Sequence, residues 1–361
     1  MSAPRALVRL EALRNNFAKL REAASGARMV AVVKADAYGH GMLPVAGALP
    51  DADAYGVARL HDALGLAEAL PGKPIVLFGG VYRREDLAAA LAHGVQPVIH
   101  CRDQLELVES APAGEAVVWV EVDTGMRRLG FEPAECPQVL ARVRAARAVR
   151  EVRLMTHLAN ADDRRDRRTS EQLGRFRDLL DGFDGEISVA NSPGLLGWTV
   201  AAACGCEPAR TWVRCGLALY GVAPFPGTQA RDFGLRPVMQ FETELVGLKR
   251  VRAGNRVGYG GTWQASRDTV LGIVAAGYGD GYTRFLPSGA PVVINGRRVP
   301  LAGRVSMDFA AVDLGPDAPD AIGDRVVLWG DELPVEEVAE HAGTVPYTLM
   351  CGVRAPRLVV P

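Results

Sequence analysis

Lysine is scarce in this chain. Only Lys19, Lys34, Lys73 and Lys249 occur among 361 residues. One of them lies in a segment with chemical potential: Val32-Val33-Lys34-Ala35-Asp36-Ala37-Tyr38-Gly39-His40-Gly41. A β-branched apolar run leads into the amine, and small residues with glycine turn away from it. A strand followed by a tight turn would deliver one amine to the mouth of a barrel. A partly desolvated lysine keeps a neutral fraction that can attack a carbonyl cofactor and form a Schiff base. Taken alone, a lysine at a strand end is an ordinary surface residue. Its meaning depends on what the rest of the chain assembles around it.

The elements needed to position such an amine can be read from periodicity. A helix is predicted over residues 11–25. Short apolar, β-rich runs come next at 29–33, 54–58, 75–78, 96–99, 117–122, 152–156, 187–190 and 212–219. Helical segments lie between most of them, at 60–70, 84–92, 104–110, 137–148 and 169–180. Eight alternating units predict a parallel (β/α)8 TIM-type barrel. An open doubly wound sheet is the competitor. It is disfavoured because no Gly-x-Gly-x-x-Gly opens a first helix, and because polar residues gather after several different strands. From about residue 236 the pattern turns β-rich, with runs at 241–251, 270–275, 291–299, 304–312 and 325–329 and one helix at 335–341. Asn295-Gly296 signals a hairpin. The chain is thus expected to divide into a barrel, residues 1–227, and a mostly antiparallel β domain, residues 228–361.

Composition excludes several classes. Hydrophobic residues make up 48% and charged residues 23%, as in ordinary globular proteins. A formal net charge of −1 gives no basic excess for nucleic acid. No apolar run reaches the roughly 20 residues of a membrane helix. The first ten residues carry charge and lack an apolar signal core, so a cytoplasmic location is expected. Six cysteines suggest no disulfide framework in a chain of this length. Cys204-Gly205-Cys206 has the wrong spacing for a zinc knuckle, the histidines are scattered, and no metal site is expected.

In barrels the active site forms at the C-terminal strand ends. Those ends offer Lys34 and Tyr38, Asp123 with Arg128, His157 and Asn160, Asn191 and Ser192, and Arg214 with Gly216. Phosphate sites in barrels usually come after strands seven and eight, where Asn191-Ser192-Pro193-Gly194 and Arg214-Cys215-Gly216 fall. A serine hydroxyl with backbone N–H groups at a helix start suits a phosphate. Each signal is weak alone, since Ser-Pro-Gly also opens ordinary helices and a lone histidine is usually structural.

Together these segments resemble the alanine racemases, fold-type III enzymes that use pyridoxal 5′-phosphate. The likeness rests on the lysine segment, on Asp123-Thr124-Gly125-Met126-Arg127-Arg128-Leu129-Gly130, and on Thr156-His157-Leu158-Ala159-Asn160. Ala190-Asn191-Ser192 and Arg214-Cys215-Gly216-Leu217 come next in order. In the β domain it rests on Gly258-Tyr259-Gly260-Gly261-Thr262, Gly277-Tyr278-Gly279-Asp280-Gly281-Tyr282, Gly303-Arg304-Val305-Ser306-Met307-Asp308 and the Tyr347 to Arg357 segment. It spans essentially the whole chain. The resemblance implies that Lys34 binds the cofactor and serves as one catalytic base, with Tyr259 as the other, supplied by the partner subunit of a homodimer. It implies phosphate contacts from Tyr38, Ser192, Gly216 and Tyr347, with Asn191 nearby and His157 against the cofactor ring. Arg214 would face the pyridine nitrogen. Arg128 and the partner's Met307 backbone would hold the substrate carboxylate, and Tyr278 and Asp308 would support the pocket. The implied reaction interconverts L- and D-alanine for peptidoglycan or alanine catabolism.

Three departures stand out. Cys215 replaces a usual proline, Ser306 a common cysteine, and Glu121 a lysine that is frequently carboxylated and supports the substrate-binding arginine. Alternation along 117–122 puts Trp119 and Glu121 on one strand face and Val118, Val120 and Val122 on the other. Glu121 therefore points either into the barrel, where it could orient Arg128, or to solvent between helices. The rival functions are a broad-specificity amino-acid racemase, a basic amino-acid decarboxylase of the same fold type, and a non-catalytic cofactor-binding regulator. The regulators lack the β domain, and the decarboxylases do not need Tyr259.

Overall fold

Two large sheets organise the computed structural model, which describes residues 4–198 and 204–361. The first three residues of the charged N-terminal stretch, where no targeting signal was expected, lie outside the described residues. The chain opens with strand β1 (Arg5–Arg9) and a helix, Leu10–Ala24. That helix buries Ala12, Leu13, Asn16, Phe17, Leu20 and Ala24, one face at helical spacing. It stops at Ser25, which takes a left-handed conformation with φ 49°.

Eight parallel strands then close a barrel. They are β2 (Arg28–Val32), β3 (Ala54–Val57), β4 (Ile75–Leu77), β5 (Val95–Ile99), β6 (Ala116–Val122), β7 (Val149–Thr156), β8 (Ile187–Ser188) and β9 (Thr211–Cys215). Closure comes from β2 pairing with β9, as in Val30↔Arg214. The barrel expectation holds. The side chains of Val30, Ala54, Val76, Val98, Trp119, Met155 and Trp212 form a small cluster of their own, separate from the layer under the helices. Arg153 lies 5.2 Å from the Trp119 ring and 4.9 Å from the Trp212 ring, so a cation stacked on two indoles packs among these side chains.

The eighth strand is shorter than the predicted run 212–219. It ends at Cys215, and Leu217–Tyr220 forms a tight helical turn. The reason is Gly216, with φ −112° and ψ −94°, which breaks the extended backbone. Asn16 anchors the chain beyond that turn. Its amide donates to the Leu219 and Arg236 carbonyls at 3.1 and 2.8 Å and accepts from the Arg236 N–H at 2.7 Å.

The second sheet is built from β10 (Met239–Val251), β13 (Thr269–Val274), β14 (Pro291–Ile294), β15 (Arg297–Pro300), β16 (Ala310–Gly315), β17 (Arg325–Trp329) and β18 (Arg357–Val360), with β11 (Arg256–Val257) and β12 (Trp263–Gln264) as a separate ribbon. Its pairs are antiparallel except that between β1 and β18. The first strand of the chain thus joins the last sheet, which ties the two units together. Asn295 and Gly296, both at positive φ, turn the predicted hairpin between β14 and β15. Of the expected strand 304–312, only residues 310–312 are extended, at the start of β16. Residues 304–309 form a loop, closed by the Ser306 N–H donating to the Phe309 carbonyl at 2.8 Å.

Candidate active site

The C-terminal strand ends converge on a cavity of about 1050 Å³. Lys34, Tyr38, Glu121, Arg128, His157, Asn191, Ser192, Arg214, Gly216 and Tyr347 all line it. The barrel therefore brings most of the sequence-derived set to one place.

Lys34 comes two residues after the end of β2, with Val33 between. The backbone beyond it is not an ordinary turn. Ala35, Asp36, Ala37 and Tyr38 all have φ of 52–54° and ψ of 40–50°, which is one turn of left-handed helix. At about 1–2 kcal/mol per non-glycine residue, such a turn is unfavourable by roughly 4–8 kcal/mol before its contacts are counted. Gly39 continues at φ 82°, and a Cβ there would lie 2.2 Å from the Met350 carbonyl oxygen. Glycine is required on both counts. The result is that Lys34 and Tyr38 face one cavity from a single short segment. Burial lowers the pKa of the Lys34 amine, and the Arg128 and Arg214 guanidiniums lower it further. More of it is neutral at a given pH than for a free lysine.

Ser192 is buried at the start of the helix Ser192–Gly197, and its Oγ accepts the Gly216 and Ala218 N–H groups at 3.2 Å each. Gly216 sits under Tyr38, where a Cβ would lie 2.7 Å from the phenol oxygen. The Tyr38 ring stands 5.4 Å from that of Tyr347. Three hydroxyls thus surround a spot where a side chain at residue 216 would not fit. Burial pushes the Tyr347 phenol up to about 12, so it stays a donor. Asn191 supports this corner, accepting the Gly194 N–H at 3.0 Å and donating to the Leu158 carbonyl at 3.2 Å.

Arg214 is buried, and its guanidinium donates to Ser188 Oγ at 2.6 Å and to the Thr156 carbonyl at 2.7 Å. Its pKa falls to about 10 through burial, which still leaves it charged at neutral pH. It also reaches His157 Nδ1 at 3.4 Å. An arginine can only donate, so Nδ1 accepts and the proton of the neutral ring sits on Nε2. Burial, Arg214, Arg128 and Lys34 hold the His157 pKa well below its ordinary value, so the ring is neutral.

The strand ends are locked by Asp123 together with three residues that the sequence did not single out, Thr124, Thr156 and Gln172. Thr156 Oγ1 donates to the Val122 carbonyl at 2.8 Å and accepts the Thr124 hydroxyl at 2.7 Å. Gln172 donates to Thr124 Oγ1 at 3.2 Å and to the His157 carbonyl at 2.9 Å, and accepts the Ala159 N–H at 2.9 Å. Asp123 accepts the Gly125 and Arg127 N–H groups at 2.9 and 3.0 Å, folding the loop that presents Arg128 at the rim. A buried glutamine on the helix Arg168–Asp178 was the available signal, since a buried amide must find partners.

Glu121 points into the barrel, not to solvent between helices. It is 8% exposed, and Val118, Val120 and Val122 pack on the opposite strand face. Its carboxylate makes no hydrogen bond or ion pair with the described residues, so the direct contact with Arg128 is absent. Burial raises its pKa; of the opposing attractions, Arg214 is the largest, then His100, then Arg128.

Tyr259, Tyr278, Met307 and Asp308 are not in this cavity. Tyr259 is 65% exposed and Met307 55% exposed. Two of their loops are zipped together: the Tyr278 N–H donates to the Ser306 carbonyl at 3.0 Å and the Gly279 N–H to the Met307 carbonyl at 2.9 Å. Asp308 is exposed at the tip.

A closed parallel barrel with a half-buried lysine and a hydroxyl-lined cradle at its C-terminal rim, joined to an antiparallel sheet, defines the architecture. Residues 8–224 match the family model for the alanine racemase N-terminal domain, and residues 238–359 match that for the C-terminal domain. The alanine racemase of Shewanella woodyi is 47% identical over 359 residues, covering 99% of this chain and 98% of the relative. That of Vibrio cholerae is 46% identical, covering 97% and 96%. The solved biosynthetic alanine racemase from Pseudomonas aeruginosa superposes with a TM-score of 0.94 at 40% identity, covering both chains fully. That of Bartonella henselae, which carries covalently bound pyridoxal phosphate, gives 0.88 at 26% identity over both full chains. The chain belongs to the alanine racemase family.

Proposed function

We propose that this protein interconverts L- and D-alanine, with pyridoxal 5′-phosphate bound at Lys34. The observation that carries the reading is the pairing of a weakened lysine base with the Tyr38, Ser192 and Gly216 cradle in one cavity. The residues fit the cofactor. Lys34 would bind its aldehyde carbon. The hydroxyls of Tyr38, Ser192 and Tyr347 and the turn at Gly216 would hold its phosphate, with Asn191 setting the position of Ser192. His157 and Arg214 would line its ring. When bound, the cofactor supplies an electron sink that lowers the barrier to removing the Cα proton.

Racemisation needs a proton removed on one face of Cα and returned on the other. Lys34 would serve one face. Tyr259 would serve the other, and because its own chain holds it away from the cavity, a second copy must bring it there. The active unit is therefore a homodimer with shared sites. The same second copy would bring Met307, whose backbone N–H with Arg128 would hold the substrate carboxylate, while Tyr278 and Asp308 would support that wall. Arg214 keeps its protons, so it would leave a pyridine nitrogen beside it unprotonated and would moderate the electron sink. Moderation favours return of the proton over side reactions. Glu121 would offset the local excess of positive charge and support the arginines.

The chain would divide near residues 227 and 228, with β1 lent to the second unit. Its product D-alanine suits cell-wall peptidoglycan, and the reverse direction suits alanine catabolism. Among the described residues no helix is long and apolar enough to cross a membrane, and the work would be done in the cytoplasm. The test is direct. The purified protein should carry pyridoxal 5′-phosphate that borohydride fixes to Lys34, and should convert either alanine enantiomer into the racemate. Faster turnover of serine or lysine than of alanine would favour a broader racemase instead.

A further inference from the structure

The left-handed turn after Lys34 needs something to hold it. Four successive non-glycine residues at positive φ do not persist unless their surroundings over-determine them. Three ties are visible. Asp36 accepts the Met42 N–H at 2.8 Å and pairs with the Arg357 guanidinium. That ion pair is about half exposed, which makes it a weak hold. Gly39 abuts the Met350 carbonyl.

The third tie is fully buried. The His40 ring has no exposure, and its Nδ1 lies 2.9 Å from the Ala37 carbonyl and 3.0 Å from the Tyr38 carbonyl. Both partners are acceptors, so Nδ1 carries the proton and donates to both. Nε2 has no partner among the described residues. The imidazole therefore presents one donor, aimed at the two carbonyls that close the turn. Its ring also lies 4.5 Å from that of Tyr220, which in turn is 4.9 Å from Tyr38 and donates its hydroxyl to the Val32 carbonyl at 2.9 Å. Val32 and Tyr38 flank Lys34 on either side, so His40 reaches both flanks of the lysine.

We propose that His40 is a positioning residue for the cofactor site: its Nδ1–H caps the left-handed turn Ala35–Tyr38 and thereby fixes Lys34 and the Tyr38 hydroxyl relative to each other. The inference rests on the cofactor assignment made under the proposed function. Without the cap the turn relaxes toward right-handed or extended backbone, and the lysine and the phosphate cradle lose their registration. Burial pushes the His40 pKa down to about 4, so the ring is neutral at neutral pH. No proton transfer is required of it.

The test compares three variants as purified full-length protein. In His40→Asn the side-chain N–H can reach the Nδ1 position. In His40→Gln it reaches toward the Nε2 position instead, and in His40→Leu it is missing. Cofactor affinity is read by titrating apoprotein with pyridoxal 5′-phosphate, and backbone hydrogen exchange of residues 35–41 is read in the apoprotein. Loss of a buried donor to two carbonyls should weaken cofactor binding by about 10-fold or more in the leucine variant. Exchange across the turn should speed up there, while KM for alanine changes little. The asparagine variant should stay within about threefold of wild type, because the donor is kept. If the leucine variant does not fold, the same contrast applies between asparagine and glutamine. Equal behaviour of the asparagine and glutamine variants would show that the ring only fills space, and a melting shift with unchanged affinity and exchange would overturn the proposal likewise. Failure of wild-type protein to bind the cofactor at Lys34 would instead sink the functional reading, independently of His40.

Discussion

The barrel rim and the loops of the second unit carry side chains of equal chemical interest but present them in opposite ways. At the rim, Tyr38, Ser192 and Arg214 are buried and Lys34 half-buried, and each is fixed by the backbone turns and hydrogen bonds around it. In the second unit Tyr259 and Met307 are more than half exposed, on loops that line no part of the cavity of their own chain. The first region is a pocket lacking a wall, and the second is a wall lacking a pocket. The contrast teaches that preorganisation is divided. On the proposed reading, each chain would build the cofactor side of one site and lend the opposite side to a second copy.

The comparison can be broken most decisively at Lys34. Lys34→Ala should remove borohydride-fixable cofactor and lower kcat by on the order of 10³-fold or more, as expected when a covalent catalytic group is lost. Cofactor fixed to another lysine in that variant would remove Lys34 from its role. Tyr259→Phe should keep the cofactor yet lose racemisation in both directions, by on the order of 10²–10⁴-fold, the usual scale of general acid–base help. Deuterium exchange at Cα should survive better from D-alanine than from L-alanine. Matching losses from both enantiomers would end the assignment of one base to each face.

Glu121 probes the rim from within. With no direct contact to the arginines, Glu121→Gln should lower kcat/KM by about 10-fold, the low end for a charge-assisted contact, if the carboxylate supports them, and a change below about twofold would leave it a bystander. Its stability should move the other way. Burial raises the folded-state pKa of Glu121, so the ionised form is the disfavoured one. Relative to glutamine, that penalty is absent below the unfolded-state pKa and grows as pH rises through the raised folded value. The apoprotein of Glu121→Gln should therefore melt higher than wild type at neutral pH, with the gap closing as pH falls toward the ordinary carboxylate range. A gap that widens on acidification would contradict the sign. The smallest effect concerns Lys34 itself. Cofactor capture by apoprotein needs the neutral amine, so its rate should reach half its plateau at a pH below the free-lysine value of 10.5. A midpoint at that value would mean that the rim does not tune the amine.

The barrel was legible because eight apolar runs alternated with helical segments, and the rim residues because they fell at the ends of those runs. Glu121 was legible as far as its strand face, since alternation alone left two directions open. The left-handed turn was not legible: of its four residues only Asp36 tolerates positive φ locally, Ala35, Ala37 and Tyr38 do not, and contacts with His40, Met350 and Arg357 impose it. The run 304–312 read as a strand because Val305, Phe309 and Val312 are apolar, yet hydrogen bonds to the Tyr278 loop hold residues 304–309 as a loop. Nor could β1 be assigned to the last sheet from sequence, because its partners, Phe241 and Arg357, lie more than two hundred residues away.

The proposed division of the site between two chains is tested most directly by mixing two inactive proteins. Lys34→Ala and Tyr259→Phe subunits, unfolded and refolded together in equal amounts, form mixed dimers alongside the parents. If each site takes Lys34 from one copy and Tyr259 from the other, every mixed dimer holds one intact site, and about one quarter of wild-type activity should return. If both residues act within one chain, every site carries a defect and the mixture stays as inactive as its parents.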